Sequence, residues 1–192
     1  YEHLRETLEF IKNENINDIL WVVRPHPSGH RYGENGIVEK LLNKIKFQNL
    51  VLCPKNISTN EILKICNVII TGRGTIGLEA ACYGKFCINA GPSIYSGYNF
   101  SLDPKNKKEY FNCIKKVKTI KPLNKKQINT AKSILYYLEK DSPTWQDQIM
   151  FNKFYNIKRA KLKNFLTNKN KKLISENLSR KLINDKIIYP HT

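Results

Sequence analysis

Residues 71–79 form the stretch whose residue types and spacing best suit chemistry. They read T-G-R-G-T-I-G-L-E and follow the apolar run 67–70, which has the composition of a buried strand. A glycine-rich turn between a strand and a helix presents backbone N–H groups at a position where an anionic group is stabilised. We therefore expect a phosphate to bind at this turn.

The turn allows more than one interpretation. Its GxGxxG spacing at 72–77 is typical of dinucleotide sites, but such sites require an acidic residue about 20 positions later. The next predicted strand ends at Asn89, and no acidic residue follows it before Asp103. The pattern therefore favours a plain phosphate or nucleotide site over an NAD-type site, with a purely structural turn as the alternative. Glu79, one turn inside the helix, can cap helix N–H groups or reach a ribose hydroxyl.

A second candidate site is the loop 24–31, which reads R-P-H-P-S-G-H-R and follows the apolar run 19–23. Pro25 and Pro27 stiffen the backbone on either side of His26. Its imidazole can donate a hydrogen bond to a phosphate oxygen or act as a general acid on a leaving group. The alternative is a solvent-exposed basic loop, but two prolines at a strand end favour a functional one.

Alternating strands and helices must position these loops. Apolar runs predict strands at 19–23, 50–53, 67–71 and 86–89, and helical spacing predicts helices at 2–13, 34–45, 75–83 and 123–140. Capping residues predict two further helix starts, at Ser58 and at Asp103-Pro104, and they also indicate a cap at 124–127 for the last of these helices. This alternation indicates βαβ units and one parallel sheet covered on both faces. Because ligands bind at the carboxyl ends of parallel strands, we expect both loops to border one crevice, together with the loop 90–98.

Composition and charge limit the function classes. The 33 Lys/Arg and 16 Asp/Glu residues give a net charge of +17, and residues 151–192 alone contribute +9. Such an excess suggests a polyanionic partner or an anionic membrane surface. Because no RNA-binding aromatic pattern accompanies the basic tail, a solvated helical face or a patch on anionic lipid headgroups is favoured over nucleic-acid binding. No apolar segment approaches the ~20 residues that span a bilayer, and no signal peptide is present, so we expect a cytoplasmic location. The five cysteines form no C-x-x-C pair and are expected to be reduced, buried thiols.

Three motifs carry a family resemblance: R-P-H-P at 24–27, T-G-R-G-T-I-G-L-E-A-A-C-Y-G-K at 71–85 and N-A-G-P-S-I-Y-S-G-Y-N-F at 89–100. In this order they resemble the C-terminal half of bacterial capsule-polysaccharide synthesis proteins. These are GT-B glycosyltransferases, related in motif to the Kdo transferases of capsule export and to bacterial sialyltransferases. The resemblance covers about residues 18–118, with a fainter match for the 123–140 helix.

The resemblance implies a site for a nucleotide-sugar donor. His26 would be the catalytic residue that contacts the donor phosphate and helps the nucleotide leave. The residues implied in binding the donor phosphate and nucleotide are Arg24, Arg73, Gly74, Thr75, Gly77, Glu79, Ser93 and Tyr95. Among them, Thr75 would bind phosphate and Glu79 the sugar of the nucleotide. Relatives often have Ser-Ser-Thr where this chain has Arg-Gly-Thr, so Arg73 is a departure that adds positive charge.

The fold expected from pattern and resemblance together is α/β: a Rossmann-like parallel sheet, the C-terminal domain of a GT-B enzyme, followed by C-terminal helices. The expected domains are an N-terminally truncated nucleotide-sugar-binding domain at 1–122, packing helices at 123–150 and a basic, partly helical tail at 151–192. The implied activity is transfer of a sugar, with CMP-linked donors among the candidates, onto a capsular or other surface polysaccharide, without a metal or other cofactor.

The implied partners are the nucleotide-sugar, a polysaccharide or lipid-linked glycan acceptor, and an N-terminal GT-B domain that supplies the catalytic base. Contact with the inner face of the cytoplasmic membrane is also expected, and nucleic acid is not. Two other function classes remain open. One is a nucleotide-sugar epimerase of the same architecture, and the other is a non-catalytic basic module that docks on an anionic membrane or glycan.

Overall fold

The structure is a computed structural model, and it describes residues 1–26, 28–33 and 35–141. Pro27 of the His-Pro loop lies outside the described residues, as does the part of the predicted packing region that follows residue 141. The predicted basic tail at 151–192 also lies outside them.

The described part of the chain contains six α-helices and five strands. In chain order they are α1 (Glu2–Asn13), β1 (Trp21–Val23), α2 (Ile37–Lys44), β2 (Leu50–Leu52), α3 (Thr59–Ile65), β3 (Val68–Thr71), α4 (Ile76–Cys82), β4 (Phe86–Asn89), β5 (Ser101–Leu102), α5 (Lys107–Lys115) and α6 (Lys125–Tyr136). A 3₁₀ turn, Gly29–Tyr32, follows β1, and a π-helical turn, Tyr137–Asp141, extends α6. The predicted α/β class is confirmed.

The strands pair in parallel, as predicted, but they form two sheets and not one. β1 pairs with β2, whereas β3, β4 and β5 form a second sheet in that order. The prediction of a single sheet is wrong, because an apolar run identifies a strand without identifying the neighbour to which it hydrogen-bonds. The common crevice expected from a single sheet therefore stays a prediction.

The chain divides into two compact units. Of the described residues, unit 1 comprises Tyr1–Cys66 and Pro104–Ile120, and unit 2 comprises Asn67–Asp103 and residues 121–141. Unit 1 contains the β1–β2 sheet with α1, α2, α3 and α5, and unit 2 contains the β3–β4–β5 sheet with α4 and α6. The predicted domain boundaries at 122 and 150 stay predictions.

The core of unit 1 lies where α1 and α2 cover the β1–β2 sheet. Its buried side chains are Leu8 of α1, Val23 of β1, and Leu41 and Ile45 at the end of α2. Helix α1 buries Thr7, Leu8 and Ile11 on one face, as is typical of an amphipathic helix. No helix within the described residues is both long enough and apolar enough to cross a bilayer.

Helix α1 also packs against α5 within unit 1. The rings of Phe10 and Phe111 stack with centroids 4.2 Å apart. The Tyr110 hydroxyl lies 2.9 Å from Nε2 of His3 and 2.8 Å from Oγ1 of Thr7. These contacts give α5, which is distant in sequence, a fixed place on α1.

Among the described residues, one face of the β1–β2 sheet is left partly exposed, in contrast to the prediction of a sheet covered on both faces. Val22 and Val51 lie opposite each other in the parallel register and are 44% and 41% exposed. Leu20, two residues before Val22, is 63% exposed. Residues two apart on a strand point to the same side, so these three side chains form one apolar face.

The core of unit 2 lies between α4 and α6. The buried residues of these two helices in that core are Leu78, Ala81, Cys82, Ala131, Ile134 and Leu135. Tyr95 and Phe100, from the loop after β4, complete it, and their rings stack with centroids 5.8 Å apart. The loop that was predicted to bind nucleotide therefore contributes large side chains to the core.

The helix starts confirm two of three capping predictions. Ser58 and Glu61 form a capping box at α3, and Asn124 and Gln127 form one at α6. The third prediction, a helix opened by Asp103-Pro104, is wrong, since α5 begins after Asn106, whose side chain accepts a hydrogen bond from the N–H of Glu109. The Asp103 carboxylate accepts hydrogen bonds from other residues, as described below, and does not cap a helix.

Candidate phosphate-binding site

The predicted phosphate turn is an exposed loop between β3 and α4 in unit 2. Gly72, Arg73, Gly74 and Thr75 are all exposed. Parallel pairing extends past the ends of the strands, because Ala90 N–H donates to the Thr71 carbonyl and Gly91 N–H donates to the Gly72 carbonyl. The turn and the loop after β4 are thereby held side by side at the carboxyl ends of their strands.

Arg73 lies across the loop after β4. A Cβ atom placed on Gly91 would be 3.1 Å from Nε and 3.5 Å from Cγ of Arg73. Within the described residues, the Arg73 guanidinium makes no hydrogen bond or ion pair. Because Gly91 has no side chain, the positively charged side chain of Arg73 can lie against this loop, beside the exposed turn.

Thr75 and Glu79 contact each other on the first turn of α4. The Thr75 hydroxyl donates to Oε1 of Glu79 at 3.0 Å, and it does not cap the helix. The N–H groups of Thr75 and Ile76 donate no hydrogen bond to any residue that the structure describes. Thr75 therefore offers its backbone N–H to an anion, and Glu79 is placed to orient the Thr75 hydroxyl.

Gly77 is buried, in contrast to the exposed glycines before it. A Cβ atom at this position would overlap the Tyr95 hydroxyl and would lie 2.5 Å from Sγ of Cys87. Gly77 therefore allows α4 to lie close to β4 and to Tyr95. Its place in the structure gives it a packing role behind the turn.

Ser93 and Tyr95 are also buried, at 3% and 0% exposure. Both belong to a polar network whose other members are Cys87, Asn89, Ser96, Ser101 and Asp103. Burial raises the pKa of the Cys87 thiol to about 12 and also raises the pKa of the Tyr95 hydroxyl. Both groups are therefore protonated at neutral pH, and Tyr95 has a proton to donate.

The two predicted residues of the His-Pro loop lie in unit 1. The Arg24 guanidinium is partly buried, and its Nη1 donates to the Ile57 carbonyl at 2.5 Å and lies 3.3 Å from Sγ of Cys53. His26 is exposed, and its Nδ1 accepts a hydrogen bond from the Ser28 N–H at 3.1 Å. In the neutral ring the proton therefore sits on Nε2.

Among the nine predicted residues, the structure brings together those of unit 2. Arg73, Gly74 and Thr75 form the exposed surface of the turn, Glu79 contacts Thr75, and the other three, Gly77, Ser93 and Tyr95, lie behind it. Arg24 and His26 follow β1 in unit 1.

Sequence reasoning missed three residues that organise this site. Asn89 is completely buried at the end of β4, Asp103 accepts several of the network's hydrogen bonds, and Gly91 makes room for Arg73. A signal for Asn89 was present, since an amide at the end of an apolar strand needs buried partners. Asp103 gave a misleading signal, because Asp before Pro also resembles a helix cap.

Within the described ranges, no group of three or more His, Cys, Asp or Glu side chains is arranged to hold a metal ion. Comparisons of the chain with protein-family models, with curated proteins and with solved structures found no match.

Proposed function

We propose that the chain binds the phosphate of a nucleotide-sugar and is the donor-binding half of a GT-B glycosyltransferase that builds a capsular or other surface polysaccharide. The fold proposed for this half is Rossmann-like. The observation that carries the proposal is the exposed turn after β3, where the Arg73 guanidinium and the Thr75 N–H make no hydrogen bond to any described residue. The three sequence motifs are the basis for proposing this family. The exposed turn is the surface that is proposed to bind the phosphate.

The first support is electrostatic. Arg73 is exposed and makes no ion pair within the described residues, so it can bind an anion without first giving up a protein carboxylate. Guanidinium groups present several N–H donors in one plane and bind phosphate oxygens in pairs. An arginine beside free backbone N–H groups suits a phosphate better than it suits a neutral ligand.

The second support is the polar pair Thr75 and Glu79. Because the Thr75 hydroxyl donates to Glu79, its oxygen keeps lone pairs that can accept a hydrogen bond. The Glu79 carboxylate is an acceptor suited to sugar hydroxyls, and the resemblance assigns it to the sugar of the nucleotide. Phosphate and sugar would thus be bound within one helical turn of each other.

His26 is the proposed catalytic residue. The hydrogen bond from the Ser28 N–H fixes the ring and leaves the proton of the neutral form on Nε2. That nitrogen would donate to a donor phosphate oxygen and stabilise the negative charge that develops as the nucleotide leaves. In this proposal Arg24 contributes positive charge, and one of its terminal nitrogens also binds the Ile57 carbonyl.

Thermal stabilisation by nucleotides tests the proposal. CMP, CDP, GDP and UDP are added separately to the full 192-residue chain, because a ligand that binds only the folded state raises Tm. We expect at least one of them to raise Tm in a concentration-dependent way. Arg73→Ala should weaken that nucleotide's affinity about tenfold or more, since charge-assisted hydrogen bonds contribute about 1.5–3 kcal/mol.

The matched control is Lys126→Ala. Lys126 is an exposed residue of α6 in the same unit, so this variant loses the same charge elsewhere on the surface. It should bind nucleotide as the wild type does. The proposal fails if none of the four nucleotides raises Tm, and Arg73 loses its assigned role if the two variants bind equally.

A further inference from the structure

The Tyr95 hydroxyl connects the exposed turn to the buried network behind it. Its single proton is shared between two acceptors, the Gly74 carbonyl at 2.8 Å and Oδ1 of Asn89 at 3.0 Å. The Asn89 amide nitrogen in turn donates to Oδ1 of Asp103 at 2.8 Å and to Oγ of Ser93 at 3.2 Å. A continuous series of hydrogen bonds therefore leads from the turn into the protein.

Asp103 anchors the buried end of this series. Its Oδ1 accepts from Oγ of Ser96 at 2.9 Å, its Oδ2 accepts from the Gly97 N–H at 2.9 Å, and Ser101 Oγ lies 3.0 Å from Oδ2. A carboxylate that accepts from several donors on different parts of a loop has little freedom to move. The position of Asn89, and through it that of Tyr95, is therefore well defined.

The Gly74 carbonyl and the Thr75 N–H belong to the same peptide group. A trans peptide group is planar, so its C=O and N–H point in opposite directions, and the chain has no cis peptide bond within the described residues. The hydrogen bond from Tyr95 directs the Gly74 carbonyl toward the interior. The same bond must direct the Thr75 N–H away from the interior, toward the exposed side of the turn.

From this geometry we infer that Tyr95 is a positioning residue, which orients the Thr75 N–H for an incoming phosphate by binding the Gly74 carbonyl. This role replaces direct contact with the nucleotide, because the Tyr95 side chain is completely buried. The role of the oriented N–H rests on the proposed function, whereas the ordering of the turn by Tyr95 does not.

Tyr95→Phe tests the inference, because it removes the hydroxyl and keeps the ring that packs on Phe100. The matched control is Tyr110→Phe, which removes the hydroxyl of another buried tyrosine in unit 1, where it contacts His3 and Thr7. Two quantities are measured in the full chain, under conditions where both variants are fully folded. One is the amide hydrogen exchange of Gly77, whose N–H donates to the Gly74 carbonyl at 3.4 Å, and the other is the affinity for inorganic phosphate and pyrophosphate.

We expect Tyr95→Phe to speed amide exchange at the turn and to weaken phosphate and pyrophosphate binding about fivefold to tenfold, the size expected for one lost hydrogen bond. Tyr110→Phe should lower Tm but change neither quantity. Unchanged exchange at Gly77 in Tyr95→Phe would overturn the inference, as would equal effects of the two variants. If exchange rises but the wild type binds no phosphate, pyrophosphate or nucleotide, the ordering role stands and the proposed function fails.

Discussion

At the scale of single residues, the contact between Gly77 and Tyr95 determines how closely α4 approaches β4. Alanine normally stabilises a helix relative to glycine, by about 1 kcal/mol in its interior. At position 77 the added methyl group would overlap the Tyr95 hydroxyl and crowd Cys87. Whether Gly77→Ala raises or lowers the stability of the protein therefore depends on which is larger, the gain in helix propensity or the cost of the steric overlap.

We predict that Gly77→Ala lowers the free energy of unfolding by about 1–3 kcal/mol, because overpacking in a rigid core costs more than helix propensity gains. Urea unfolding followed by circular dichroism measures the change. Gly72→Ala is the control: a Cβ atom at Gly72 meets nothing within 4 Å, so it should change stability by less than about 0.5 kcal/mol. A stabilised Gly77→Ala variant would contradict the packing assigned to Tyr95.

At the scale of elements, the two capping boxes differ in one respect that can be measured. At α3 the Glu61 carboxylate accepts from the Ser58 hydroxyl at 2.6 Å and from the Ser58 N–H at 2.7 Å. These two hydrogen bonds, the hydroxyl first, lower the pKa of Glu61 below its usual value of 4.5. At α6 the corresponding residue is Gln127, which does not titrate.

We predict that the α3 cap weakens in acid and that the α6 cap does not. A carboxyl group whose pKa is lowered by folding stabilises the folded state above its unfolded pKa, and the stabilisation is lost as pH falls through the folded pKa. Amide exchange in α3, corrected for intrinsic rates, should therefore increase below about pH 4.5, the usual pKa of Glu61. Glu61→Gln, which keeps a capping side chain, should remove this dependence. Parallel loss of protection in α3 and α6 would assign the effect to global acid unfolding.

The sequence predicted most elements, because helical spacing, apolar runs and capping residues are local signals. It did not predict which strands pair. The pairing of β3 with β4 depends on how the whole unit packs, and no single segment of sequence contains that information. It also missed β5, because Ser101–Leu102 is too short to show a pattern. Of the site, the exposed turn was evident from its glycines, whereas the burial of Tyr95 depends on α4 and α6 packing around it.

At the scale of the whole molecule, the exposed face of the β1–β2 sheet is unusual. Parallel sheets are generally covered on both sides. Val23, which points to the opposite side, is only 9% exposed and belongs to the core of unit 1, whereas its neighbour Val22 is 44% exposed. Adjacent residues of one strand thus face a core and an open surface.

We predict that Val22→Thr leaves the stability of the chain within about 0.5 kcal/mol of the wild type, because threonine suits a strand and the site is exposed. Val23→Thr should cost about 1–3 kcal/mol, because it buries a hydroxyl group among apolar side chains. Urea unfolding of both variants measures the difference. Equal losses would show that the Val22 face is covered in solution.

The close contact of Gly77 with Tyr95 also restricts the order in which this region can evolve. A mutation that adds a side chain at position 77 is damaging while tyrosine occupies position 95 and cysteine occupies position 87, and it becomes tolerable only once both neighbours have been shortened. Substitutions at 95 and 87 must therefore come first in any lineage that loses the glycine. The three positions should covary among descendants of this chain, and the reverse order should be selected against.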